Sequence, residues 1–231
     1  MGTDIHGVFQ RRVPQTGAWE DIPHRYEMGR HYQLFAVLAG VRNGTGFAGV
    51  VTGEAVKPIS EPRGYPDGFV SRAPRDAENL EPGDDPEELE DDRHPATHAA
   101  VDPRRQKYYA PEAVRGIWMG DHSFSWLSGE EMLAWHAKAP IVVAAGVLER
   151  AAYEAWDKES EPESYCGGVG GAGVRVIEEP QVGKPGEPKN WTHVRVTWDR
   201  GLKSDLAYFF DEVWRLAAEH GDIRFVFGFD S

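Results

Sequence analysis

"IRFVFGFD", Ile223–Asp230, decides the fold. Ile223, Phe225, Phe227 and Phe229 alternate along it, so one face of an extended strand carries four large apolar side chains. Each is worth roughly 1.5–3 kcal/mol when fully buried, which places the strand inside a sheet and not at its edge. Upstream, "SDLAYFFDEVWRLAAEHG" (204–221) sets Leu206, Phe209, Phe210, Val213 and Ala217 on one stripe at helical spacing. Before that, "WTHVRVTWDR" alternates as a strand. A strand–helix–strand ending of this kind would leave one parallel pair in an otherwise antiparallel sheet.

The same signals extend toward the N-terminus. "DIHGVFQRRV" alternates, and a turn at Thr16-Gly17 leads into a short second strand, giving a hairpin. "RHYQLFAVLAG" predicts a helix with Leu34, Phe35, Val37 and Leu38 on its apolar face and Gly40 as C-cap. Ser128 and Glu131 are spaced as a capping box, with Leu127 and Met132 at the staple positions of the helix they start. "GVLERAAYEAWDK" predicts a further helix with Val147, Leu148, Ala151, Ala155 and Trp156 along one stripe, and Val174–Ile177 adds a strand. "VRNGTGFAG" and "PISEPRGYPDG" are loops by their Gly, Pro and Asn pairs. The expected fold is α+β: one mostly antiparallel sheet with helices packed on one face, in a single domain over residues 1–231. Residues 78–92 hold nine acids, two prolines and no aromatic residue, which predicts a mobile acidic loop over residues 76–97 within that domain.

Composition narrows the partners. The 231 residues carry 25 basic and 38 acidic side chains, a formal charge of −13, and 40% apolar content sufficient for a core. Nucleic acid is not an expected partner, because its binding rests on clustered Lys and Arg. Cys166 stands alone, so no intrachain disulfide forms. No apolar run reaches the roughly 18–20 residues of a membrane span, and no signal-peptide apolar region is visible. The expected location is the cytoplasm.

The chemistry-bearing residues fall in a few short stretches. Asp4 and His6 stand two apart on a strand, so both side chains point to one face and can offer a carboxylate and an imidazole to a divalent metal. Asp121 and His122 form a second such pair in an expected loop, and the four together could activate a water. In "DHSFS", His122 could instead serve as base to Ser123 or Ser125, although hydroxyls before a helix more often make turns and caps. The candidate catalytic set is Asp121, His122 and Ser123, with Asp4 and His6 as metal ligands. Arg30, Arg42 and Arg63 lie in or beside the Gly/Pro-rich loops, where a guanidinium fork suits phosphate or carboxylate. Asn43 and Asp67 would orient that clamp. Gly168, Gly170 and Gly173 have dinucleotide-fingerprint spacing, but a strand-like segment follows where a helix is required, so this is a loop.

"MGTDIH", "YQLFAVLAGVRN", "PISEPRGYPD", "GDHSFSWLS" and "IRFVFGFDS" together resemble a phage and bacterial family without an assigned activity. Its members begin Met-Gly-Cys-Asp-Ile-His and carry a His-Ser-x-Ser-Trp-Leu segment. The resemblance implies a phage or actinobacterial origin, and hence the host cytoplasm for a phage-encoded chain. Thr3 stands where the family has Cys, so cysteine chemistry is not available there. Two functions are expected. One is a small metal-assisted hydrolase acting on a phosphate-containing small molecule or nucleotide. The other is a non-enzymatic phage accessory protein that binds a host protein through its acidic surface and exposed aromatics. Geometry separates them, since the hydrolase needs the N-terminal strand and "GDHSFSW" to converge.

Overall fold

A computed structural model describes residues 2–22, 30–46, 49–69, 71–72 and 117–230. The acidic segment 76–97 lies outside them. Among the described residues, mostly antiparallel sheets and five α-helices give the α+β fold expected from the sequence. The chain forms two compact units, each assembled from separated stretches. None of the described helices is long and apolar enough to cross a membrane.

The unit formed by Thr3–Arg30, Pro62–Leu127 and Ile223–Ser231 carries a four-stranded sheet. Its strands are β1 (Asp4–Arg12), β2 (Trp19–Asp21), β5 (His122–Ser128, whose last residue belongs to the other unit) and β9 (Ile223–Asp230), in the order β2-β1-β9-β5. β1 and β2 make the expected hairpin, and β9 is interior. β9 pairs antiparallel with β1 over a register running from Asp4↔Asp230 to Arg11↔Ile223. The expected alternation is exceeded: every residue from Ile223 to Phe229 is buried, so β9 is covered on both faces. The Phe face is continuous with Phe9, whose ring centre lies 4.6 Å from that of Phe225. On the other face Arg224 is buried, donates through Nε to Gln10 Oε1 at 2.8 Å and lies 4.3 Å over the Trp19 ring. Those contacts give a buried guanidinium the partners it needs. Gly228 shares that face, and a Cβ there would run into the Met119 carbonyl and the Phe124 ring. Two further strands, β3 (Ser71–Arg72) and β4 (Ile117–Trp118), pair in parallel.

The second unit, mainly His31–Glu61 and Ser128–Asp222, holds the helices and a three-stranded sheet of β6 (Ile141–Glu149), β7 (Val176–Glu178) and β8 (His193–Gly201), in the order β6-β8-β7. α1 (Tyr32–Ala39) ends at Gly40 in the left-handed conformation, φ 71°, as its sequence predicts. α2 (Gly129–His136) starts from the Ser128–Glu131 capping box, also as predicted. The structure then departs from the sequence reading. Val147 and Leu148 do not lie on a helix; they close β6 (Ile141–Glu149), and only Arg150–Ala155 forms the helix, α3. β6 pairs with β8 (His193–Gly201) through nine consecutive positions, and that ladder overrides the local helix preference of "GVLERAA". The expected strand at Val174–Ile177 is β7, displaced to Val176–Glu178 and parallel to β8. The C-terminal helix is two pieces, α4 (Leu202–Asp205) and α5 (Ala207–His220), broken at Leu206. Leu206, Phe209, Phe210, Val213 and Leu216 are buried along it, with Leu216 in place of the expected Ala217. β8 and β9 do not form the expected parallel pair, because they belong to different sheets.

Two stability outcomes follow from this packing. Gly228→Ala should cost several kcal/mol, about the 1–3 of ordinary overpacking or more, since backbone lies in the way. Ser128→Ala should cost about 0.5–2 kcal/mol by removing the α2 cap. Urea melts of the full chain would check both, and a Gly228→Ala variant as stable as the parent would contradict the packing of β9.

Candidate functional site

One end of the four-stranded sheet gathers the polar residues of three neighbouring strands. The β1/β9 register sets Asp4 directly opposite Asp230, and His6 opposite Gly228. Asp4, His6 and Asp230 therefore share one face. Asp230 uses both carboxylate oxygens. Oδ1 accepts the main-chain N–H of Asp4 at 3.0 Å, and Oδ2 lies 3.3 Å from His6 Nε2. Two carboxylates placed opposite each other repel. Arg30 relieves this by a two-pronged ion pair to Asp4, with Nε and Nη2 at 2.6 and 2.7 Å. That hydrogen-bonded guanidinium holds the Asp4 carboxyl below its ordinary range, against a smaller opposing effect of burial.

β5 approaches the other side of β9. Gly120, at φ 80°, precedes it where a Cβ would run into the Phe229 carbonyl and the Asp230 nitrogen. A glycine is required there for close approach. The approach lets the Asp121 N–H donate to the Phe229 carbonyl at 2.7 Å. His122 follows with its ring facing that of Phe229, centres 6.0 Å apart. Its Nδ1 is 2.9 Å from Ser123 Oγ, and its Nε2 is 3.9 Å from Asp121 Oδ1. Ser123 itself sits at φ 54°, a left-handed conformation uncommon for a residue other than glycine. "HSFSWLS" is thus a strand from His122 onward and not the loop expected from its hydroxyls and Gly120.

The remaining expected residues take other places. Ser125 is fully buried, and its Oγ accepts the Arg63 main-chain N–H at 3.4 Å, so it pegs the 62–69 segment to β5. The Arg63 side chain lies 4.2 Å over Trp126 and donates to the Trp126 carbonyl. Asp67 is exposed in a turn of the same segment. Arg42 and Asn43 belong to the other unit. There Asn43 exchanges two 2.7 Å hydrogen bonds with the Val56 backbone, and the Arg42 guanidinium lies 5.8 Å from the Tyr32 ring centre. Gly168 and Gly170 lie in irregular chain and Gly173 in a turn that leads into β7, so a strand follows where the fingerprint needs a helix.

Among the described residues, no group of three or more His, Cys, Asp or Glu side chains is arranged to hold a metal ion. The polar groups come instead as pairs: His6 with Asp230, and His122 with Asp121. Sequence reasoning missed Asp230. Its only signal was position, as the sole acid at the end of a strand otherwise filled by apolar residues, Arg224 and Gly228. Searches against family models, curated proteins and solved structures find no match to this chain.

The Asp4–Arg30 pair makes a pH prediction. Its contribution to stability is fully present above the ordinary carboxylate value of 3.8 and is lost as pH falls through the depressed folded value. In Arg30→Gln the Asp4 carboxyl should titrate higher, back toward or above 3.8, in a carboxyl-detected NMR titration. An unchanged Asp4 titration would mean that the ion pair does not form in solution.

Proposed function

We propose that the chain is a hydrolase of a phosphate-containing small molecule or nucleotide, with its reacting groups at the end of the four-stranded sheet. What supports this reading is one observation. The N-terminal strand and the "GDHSFSW" segment flank the same end of β9, each bringing an imidazole–carboxylate pair. An accessory protein that only binds a partner has no need of two such pairs on neighbouring strands.

The roles follow from the contacts. With Nδ1 unprotonated, His122 accepts the Ser123 hydroxyl proton and acts as base to that hydroxyl or to a water, while Asp121 favours the imidazolium that results. His6, paired with Asp230, delivers a proton to the leaving oxygen. Of the expected anion-binding residues, Arg30 is the one paired with a carboxylate of this sheet end, so it is the guanidinium assigned to the substrate phosphate. A divalent ion fits the pairs only in the manner of magnesium, with one or two protein carboxylates and the rest of its sphere from phosphate and water. Asp230 and Asp121 would be those carboxylates, because Arg30 occupies Asp4. Bound there, the ion would neutralise phosphate charge.

The test is a phosphoester and nucleotide panel run with and without added magnesium or manganese, after elemental analysis of the purified chain. His122→Ala should lower turnover roughly 10²- to 10⁴-fold, the range for removing a general base, with its melting temperature little changed. Ser128→Ala should show the opposite pattern. A parent chain inactive across the panel, or a His122→Ala variant that keeps its activity, would refute the hydrolase. In that event the host-protein reading stands, supported by Trp214, which is 65% exposed on α5.

A further inference from the structure

Aromatic residues packed around the β6–β8 sheet come with their own cations. Lys158 Nζ lies 4.6 Å from the Tyr153 ring centre, and the Arg150 guanidinium lies 4.5 Å from that of Trp191. Arg200 serves both Trp198 and Tyr165, at 5.4 and 5.5 Å. Trp156, packed against the same core, is different: no Lys or Arg among the described residues lies over it. It lines a pocket of about 240 Å³.

The floor of that pocket is apolar, made by Leu148, Ala152, Trp156 and Pro162. Its rim carries three carboxylates, Asp157, Glu161 and Glu163, and no lining residue is basic. Glu161 is neutralised by Arg200 at 2.6 Å. The other two are not neutralised by any described cation. Asp157 accepts the main-chain N–H groups of Ser160 and Glu159 at 2.9 Å, along with the Ser160 hydroxyl. These bonds, the Ser160 N–H foremost, keep it ionised to lower pH than an ordinary aspartate. Glu163 is exposed and has no partner among the described residues. The Trp156 indole N–H donates to the Ser160 carbonyl at 2.8 Å, which fixes the ring against the loop. The rim carboxylates do not converge as metal ligands. Their charge is spread over an apolar floor, and that pattern suits an elongated cation and not a bare ion.

We propose that this pocket binds a short organic cation of the alkylammonium class. Its chain lies on Leu148, Ala152 and Trp156, and its ammonium group meets Glu163 and Asp157. The hydrocarbon gains burial, and the ammonium gains the indole face and two carboxylates that no described residue neutralises. This site belongs to the β6–β8 unit and is independent of the hydrolase reading.

Calorimetric titration of the full chain with hexylammonium chloride tests it, with 1-hexanol and hexanoate as comparators. Hexylammonium should bind saturably and 1-hexanol clearly more weakly, while hexanoate should not bind. Glu163→Gln should weaken hexylammonium roughly two- to fivefold, the scale of one exposed charge contact. Glu163→Lys should abolish binding by supplying the cation itself. Since Glu163 is exposed and makes no hydrogen bond or ion pair among the described residues, both variants should melt like the parent. Equal affinity for 1-hexanol, affinity unchanged in both Glu163 variants, or no saturable binding by the parent would each overturn the proposal.

Discussion

The antiparallel pairing of β1 with β9 is the constraint on which the four-stranded sheet depends. β9 is buried on both faces, and its two backbone edges are paired by β1 and β5. Its apolar face is built by Phe225, Phe227 and Phe229, with Phe9 of β1 in ring contact. On its other face the buried Arg224 is accommodated by Gln10, which stands opposite it in register, and by the Trp19 ring. The register that satisfies the core also decides the polar end. Once Val8 faces Val226, Asp4 has no choice but to face Asp230. Hydrophobic burial thus assembles a charged arrangement that would be unfavourable by itself.

That arrangement is stabilised one charge at a time. Asp230 caps the start of β1 and holds His6, and Arg30 offsets the carboxylate of Asp4. On the β5 side, the absence of a side chain at Gly120 lets the backbone come close enough to bond Phe229. Asp121, His122 and Ser123 are positioned by that bond. His122 and Asp121 remain 36% and 53% exposed by side chain, so solvent reaches both.

What was legible in the sequence was local. The Gly40 cap, the Ser128–Glu131 box, the Thr16-Gly17 turn and the alternation of β1, β8 and β9 each depend on residues within a few positions of one another. What was not legible depends on partners far along the chain. "GVLERAA" is rich in helix formers, and only the nine-position ladder with β8 makes its first part a strand. "HSFSWLS" contains cap-forming hydroxyls, and it is β9 beside it that draws it into a strand. The Arg30–Asp4 ion pair was not legible because the sequence does not show that the two side chains lie side by side. Asp230 went unnoticed for the same reason: a carboxylate is informative only once its imidazole is known.

The distance along the chain between β1 and β9 has a consequence for how the protein reaches this state. Asp4 and Asp230 hydrogen-bond across 226 positions. Closing a loop of that length costs entropy before any contact in the sheet repays it, so β1–β9 docking is a slow, non-local event. The β6–β8 ladder and the Ser128-capped helix close far shorter loops and can form ahead of it. During synthesis, β1 and its hairpin partner leave the ribosome long before β9 exists to pair with them. For that interval β1 has an open edge with Ile5, Val8 and Phe9 uncovered, which is the kind of surface that chaperones hold and that aggregation begins from.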